Sequence, residues 1–285
     1  SSTTSQGKSK LTTKSKSAHT RPTKANDNLN KTKNDMAHAK LNTFHLFAGA
    51  GGGILGDLLL GHNPIGACEI EPYPRDVLLA RQADGILPSF PIWDDVATLD
   101  GNPWRGSVDV LCGGFPCQDI SAAGKGAGIS GERSGLWKEY ARLIGEMRPR
   151  FVFAENSPLL RTRGLGVVLE DLAALGYNAR WGIIGAGDVK APHQRKRMWV
   201  MAFDPACTGR QRGLPVGARK ELPAHGDGGE GRAWHFSREE MLAESLIFGE
   251  GHGVANRVDR LKAIGNGQVP QCAAVAFNIL SEGLI

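Results

Sequence analysis

The segment NTFHLFAGAGGGILGDLLL, residues 42–60, constrains the fold of this chain more than any other stretch. A short apolar run reads as a buried strand, and apolar residues recurring at three- and four-residue spacing read as a helix. Between them stand Gly49, Gly51, Gly52 and Gly53, which allow a tight reversal and let backbone approach a ligand closely. PIGACEIE, residues 64–71, then reads as a second short strand ending in acids. Strand, glycine turn, helix and strand make a βαβ unit, and a parallel sheet of such units must be covered by helices on its faces.

The pattern continues. VDVLCGG, RPRFVFAEN, NARWGIIGAG and RKRMWVMAF read as strands, with LWKEYARLIGEM and GVVLEDLAALG as helices between them. Alternation up to Phe203 predicts an α/β fold, a doubly wound, mostly parallel sheet of Rossmann-like type. From Asp204 to about Asn256 the periodicity disappears and Gly, Arg and His dominate, which predicts a small irregular second domain over residues 204–256. The end of the chain regains an apolar helix after a GNG turn. The main domain is therefore expected to comprise residues 41–203 plus 257–285.

Charge separates a further segment. Residues 1–40 hold nine Lys or Arg against Asp27 and Asp35, a net of +7, whereas the remainder carries 25 basic and 27 acidic residues, a net of −2. The first 40 residues also lack the large apolar side chains that offset the entropy of ordering, so they read as a basic disordered tail. The five cysteines form no C-x-x-C pair and no His-flanked metal spacing, which points to a reduced, cytoplasmic compartment and to no metal site. With no apolar run near the ~18 residues of a membrane span and no secretory leader, a soluble protein is expected.

Two segments carry candidate chemistry. The glycine turn points a helix N-terminus at its ligand, and Glu69 and Glu71, about 20 residues on, stand where an acid binds ribose hydroxyls. An adenosine-containing cofactor fits this pair. In VDVLCGGFPCQDIS a strand runs into a turn that presents Cys117 after Pro116 at the carboxyl edge of the sheet, while Cys112, on the strand itself, reads as a buried structural thiol. A nucleophilic cysteine needs nearby positive charge, and HQRKRMW supplies a basic cluster.

GGFPCQDIS, with FAGAGG before it and AENS, QRKRMW and GNGQVP after it, resembles the ordered motif set of DNA cytosine carbon-5 methyltransferases. The NRVDRL-x-x-x-GN ending is similar to compact members of phage and prophage type. The resemblance covers residues 43–203 and 257–280, and it implies a class I S-adenosylmethionine-dependent fold, double-stranded DNA as partner and a cytoplasmic monomer with no obligatory protein partner. Restriction–modification systems are the usual setting. It further implies that Cys117 attacks carbon 6 of a flipped-out cytosine, that Glu155 in the AENS turn bonds ring nitrogen N3 and the exocyclic amine, and that Arg195 and Arg197 orient both. Arg197 is the implied contact to the base oxygen.

For S-adenosylmethionine the resemblance implies Phe47, Gly49, Gly51, Gly52, Glu69, Asp95, Pro116, Leu136 and Asn266. The role of Asn266 requires the terminal helix to lie beside the first. Residues 204–256 fall where the family places its target-recognition domain, and Arg210, Arg212, Arg219, His225, Arg232, Trp234 and His235 are its candidates for phosphate or base contacts. Three departures bear on positioning: His193 stands for Gln, Ser157 for Val and Gly267 for Ser. An RNA cytosine methyltransferase and a catalytically inactive DNA-binding homologue remain the alternatives at this stage.

Overall fold

A computed structural model describes residues 40–116, 135–189, 191, 194–206, 218–219 and 267–285. Cys117, His193 and Asn266 lie outside these residues, as do the basic tail before Lys40 and most of the 204–256 segment.

The strands are β1 (Asn42–Leu46), β2 (Asn63–Cys68), β3 (Ile92–Trp93), β4 (Val110–Gly114), β5 (Phe151–Asn156), β6 (Asn178–Gly185), β7 (Lys196–Phe203) and β8 (Ala218–Arg219). The helices are α1 (Gly52–Leu59), α2 (Pro72–Ala83), α3 (Leu136–Met147), α4 (Leu160–Arg163), α5 (Leu165–Ala174) and α6 (Pro270–Ser281). Among the described residues, the eight strands join one sheet in the order β3-β2-β1-β4-β5-β7-β6-β8. Every pairing is parallel except those of β7, which runs antiparallel to both β5 and β6. The chain winds outward from β1 through β2 to β3 and returns to β4 on the other side of β1, so β1 and β4 flank the switch point where ligands bind in such sheets. β8 falls inside the segment expected to form a separate domain, yet its backbone pairs with β6.

Both faces of the sheet are covered, as parallel pairing demands. On one face Phe44, Leu46, Leu111, Val152 and Ala154 pack against α3 and α5. The α3 sequence buries Trp137, Tyr140, Leu143, Ile144 and Met147, one stripe of the helix, and the Tyr140 hydroxyl donates to the Leu111 carbonyl at 3.0 Å. Arg148 stops this helix in the left-handed conformation (φ 52°), immediately before Pro149. On the other face Val110, Cys112, Phe153, Trp199 and Met201 pack against α6. Alternation along β4 explains the division, since Leu111 points to one face and Val110 and Cys112 to the other.

α1 and α6 lie side by side on this second face, the arrangement that a role for the GNG turn requires. Gly56 permits it: a β-carbon there would come within 3.0 Å of the Ala273 side chain and the Pro270 carbonyl. No helix among the described residues is long and apolar enough to cross a membrane.

Candidate active site

The register of the central strands brings the candidate residues to one edge. Gly114 of β4 pairs with Glu155 of β5, and Glu155 pairs with Trp199 of β7. Because β7 is antiparallel, its first residues meet the last residues of β5, so the arginine cluster arrives at the carboxyl edge of the sheet. Glu155 lies within β5, and the turn begins only after Asn156, which corrects its expected place in the AENS turn. Arg195 likewise immediately precedes β7, while Arg197 is in it.

Glu155 is buried, and its Oε1 lies 2.7 Å from Arg197 Nε, a close ion pair. Burial pushes the Glu155 carboxyl up from the ordinary glutamate range, against the pull of Arg197, Arg195 and a hydrogen bond from Gln268. Arg195 is anchored separately, its Nη2 donating to the Gly267 carbonyl at 2.6 Å. A buried carboxyl pushed above its ordinary range beside two guanidinium groups suits sharing a proton with a base while charge develops on that base.

The approach to Cys117 is fixed from β5. Asn156 Nδ2 donates to the Phe115 carbonyl at 3.1 Å, two residues before the candidate nucleophile, and the buried Phe115 ring lies 5.2 Å from that of Trp137. Ser157, one of the departures, builds the following turn: its N–H donates to Asn156 Oδ1 at 2.8 Å and its Oγ accepts from Leu159 N–H at 3.4 Å. Pro116 is half-buried at the sheet edge, and the described chain stops there.

The glycine turn makes the other wall. Phe47 (φ 52°) and Gly49 (φ 55°) are left-handed, and a β-carbon on Gly49 would meet nothing within 4 Å, which leaves open space for a ligand. Phe47 carries the same φ with a side chain, a strained geometry of the sort that gathers at functional sites. Gly49 N–H donates to Glu69 Oε2 at 2.6 Å and Glu71 N–H donates to Oε1 at 2.8 Å. Burial pushes the Glu69 carboxyl up and these two donors partly offset it; each oxygen keeps a lone pair for a hydroxyl. Asp95 lies nearby in electrostatic terms, since burial together with Glu69, Asp95 and Asp94 raises the Cys68 thiol to about 12. The Asp95 turn is closed by Ala97 N–H on Oδ1 at 2.9 Å and held by Arg142, which donates to the carbonyls of Val96 and Leu99.

Phe47, Gly49 and Glu155 line one cleft together with His45, Gly114 and Gln268. Gly51 caps α1 with φ 92°. Leu136, in the first turn of α3, is partly buried and packs against the core. At Gly52 the space a side chain would take is filled by the Gln268 backbone carbonyl. Three polar residues escaped the sequence reading. Gln268 is one, and the buried pair of His45 Nε2 and Asp57 Oδ2, 2.6 Å apart, supplies the others. With Cys112 this pair forms a group within 4.8 Å, but its direct hydrogen bond makes it a structural contact between β1 and α1.

Residues 41–218 match the family described as C-5 cytosine-specific DNA methylase. The chain belongs to that family. Among curated relatives, the Type II methyltransferase M.CviJI of Paramecium bursaria Chlorella virus IL3A is 31% identical over 162 residues, 56% of this chain and 42% of its own length. M.Eco47II of Escherichia coli is 35% identical over 162 residues, 55% of this chain and 38% of its own. The chain thus spans less than half the length of these two relatives. Among solved structures, the Entamoeba histolytica methyltransferase EhMeth superimposes with a TM-score of 0.57 at 13% identity over 87% of this chain and 100% of its own, a likeness of fold.

Proposed function

We infer that this chain transfers a methyl group from S-adenosylmethionine to carbon 5 of cytosine in double-stranded DNA, by way of a covalent bond from Cys117 to carbon 6. The observation that carries this reading is the buried Glu155 carboxyl paired with Arg197 at the sheet edge where β4 ends, three residues before Cys117 in sequence, in a chain of the cytosine-specific family.

The thiolate of Cys117 adds to carbon 6, and Glu155 holds a proton at N3, so the electron pair displaced from the C5–C6 bond makes carbon 5 nucleophilic. Arg197 and Arg195 keep the Glu155 carboxyl oriented. After methylation, a base from solvent takes the proton on carbon 5, and the electron pair of that C–H bond re-forms the C5–C6 double bond as the C6–S bond breaks and the thiolate leaves. The cofactor, when bound, supplies a methyl group on a cationic sulfur. The open space at Gly49 and the spare acceptor capacity of Glu69 fit its adenosine portion, with Phe47, Gly51 and Asp95 around them, and Asn266 and Leu136 complete the set from the family pattern. Residues 204–256 would choose the target sequence, offsetting the few kcal/mol that flipping a base costs. The basic tail adds only phosphate attraction.

A duplex carrying 5-fluorocytosine should trap the enzyme as a denaturant-stable adduct in the presence of cofactor, because carbon 5 then has no proton to lose. Cys117→Ala should form none. An undiminished adduct with that variant refutes the assignment, and bisulfite sequencing of methylated DNA gives base identity and target context.

A further inference from the structure

Gln268 belongs to no group assigned above, yet its main chain and its carboxamide fill the space between the glycine turn and the catalytic carboxylate. Its backbone carbonyl occupies the position of a Gly52 side chain, and its Oε1 occupies that of Gly53 at the N-terminus of α1. The other end of the amide faces β4 and β5: a β-carbon on Gly114 would lie 2.7 Å from Glu155 Oε2 and 3.2 Å from Gln268 Nε2. The amide nitrogen donates a hydrogen bond to the Glu155 carboxylate. The electrostatics fit this orientation, because the acceptor oxygen sits at the positive end of a helix and the donor faces a carboxylate. Gly52 is therefore shaped around the Gln268 main chain, and Gly53 and Gly114 around its carboxamide.

The geometry points to Gln268 as a positioning residue for the methyl-transfer reaction, one that holds the Glu155 carboxyl against the base-binding side of the cleft and ties it to the turn that lines the cofactor side. This rests on the reading of Glu155 given above. A donor to a carboxylate stabilises its ionised form, so Gln268 opposes burial and keeps the Glu155 proton transferable. Among the described residues, the other charged or titratable groups facing this carboxyl are Arg197 and Arg195 from the β7 side and, across the cleft from β1, His45, whose Nε2 is engaged by Asp57. Lacking the amide donor, Glu155 should keep its proton to higher pH, where it fails to share it.

Two variants test the assignment: Gln268→Met, which removes the donor at similar length, and Gln268→Glu, which keeps the shape and donates only while protonated. Single-turnover methylation of unmethylated plasmid DNA is measured from pH 5.5 to 9 at saturating DNA and cofactor. For Gln268→Met the rate at neutral pH should fall about tenfold and the alkaline limb should move up by about one pH unit, the scale of one hydrogen bond to a charged group. Cofactor affinity should change less than about threefold, within the noise of a lost side-chain contact. Gln268→Glu should approach the wild-type rate at the acid end and collapse as pH rises. An unshifted limb in the methionine variant, or a glutamate variant whose ratio to wild type is the same at every pH, overturns the proposal; if the methionine variant does not fold, the glutamate profile decides. Glu155→Ala separates the two levels. If it retains the rate, the reading of Glu155 fails; if it is inactive while the Gln268 profiles do not move, only the role of Gln268 fails.

Discussion

Replacing Arg197 by methionine keeps a long apolar stem and removes the charge, which isolates what the ion pair does for a buried carboxylate. The Glu155 side chain is 9% exposed and that of Arg197 28% exposed. Removing one partner of a buried pair costs about 3–5 kcal/mol. Arg195 and the Gln268 amide remain beside the carboxylate, so the lower end, about 3 kcal/mol, is expected at pH 8.5. A ceiling also applies, because the carboxyl can take up a proton instead of staying stranded. Protonation costs about 1.36 kcal/mol for each pH unit above an ordinary glutamate pKa of about 4.3, which is about 6 kcal/mol at pH 8.5 but about 1.6 kcal/mol at pH 5.5. The sign follows from the raised pKa: the folded state is least burdened below the unfolded value, and the burden grows as pH rises through the folded value. At about 2–4 °C per kcal/mol for a domain of this size, Arg197→Met should lower Tm by about 6–12 °C at pH 8.5 and by no more than about 3–6 °C at pH 5.5. Scanning calorimetry at fixed ionic strength measures both, and Glu155→Gln in the same chain should abolish most of the loss. An equal drop at the two pH values, or a drop that survives Glu155→Gln, would show that Arg197 acts by packing and not by pairing.

Two further outcomes follow from the glycine turn and the pair beneath it. Gly52→Ala drives a methyl group into the Gln268 carbonyl, whereas Gly49→Ala meets open space and incurs only the left-handed penalty of about 1–2 kcal/mol, so thermal unfolding should show the larger Tm loss at Gly52; equal losses would mean that the Gln268 backbone yields freely. Burial alone would push the Asp57 carboxyl up, but His45, aided by His62 and Thr43, draws it well below the usual carboxylate range. The stability this confers is complete above the unfolded carboxyl value of about 3.9 and is lost as pH falls below it. The Tm gap between wild type and Asp57→Asn should therefore be widest near neutrality and narrow below about pH 4, and a gap independent of pH would contradict the pairing.

Much of the architecture was legible because it rests on local periodicity. The apolar run before Gly49 is β1, and the stripe of Trp137, Tyr140, Ile144 and Met147 is the buried side of α3. The direction of β7 was not legible, since a two-residue alternation reads the same either way along a strand. That direction nevertheless puts Arg197 on Glu155, where a parallel strand would carry it to the opposite edge. The sign of a reversal was present in the short link from Gly185 to Lys196, too brief for the helical crossover that parallel neighbours need. His45 and Asp57 also left a trace, a lone polar residue inside each of two apolar runs joined by one turn, and buried polar groups must find partners.

The glycines mark where local reading ends. FAGAGGG invites a ligand-binding interpretation throughout, and at Gly49 the open space agrees with it, but Gly52 and Gly53 are small because Gln268 lies against them. Absence of a side chain records that something approaches closely without recording what approaches. The neighbour here comes from more than 200 residues further along the chain, and only the docking of α6 beside α1 places it. That docking gives the terminal segment a physical task. Arg195 is held by the Gly267 carbonyl, Glu155 by the Gln268 amide and the α1 turn by the Gln268 backbone, so two consecutive residues brace both walls of the cleft. Wherever α6 shifts along α1, the Glu155 carboxyl and the glycine turn must shift with it, which couples the two sides of the cleft through packing alone.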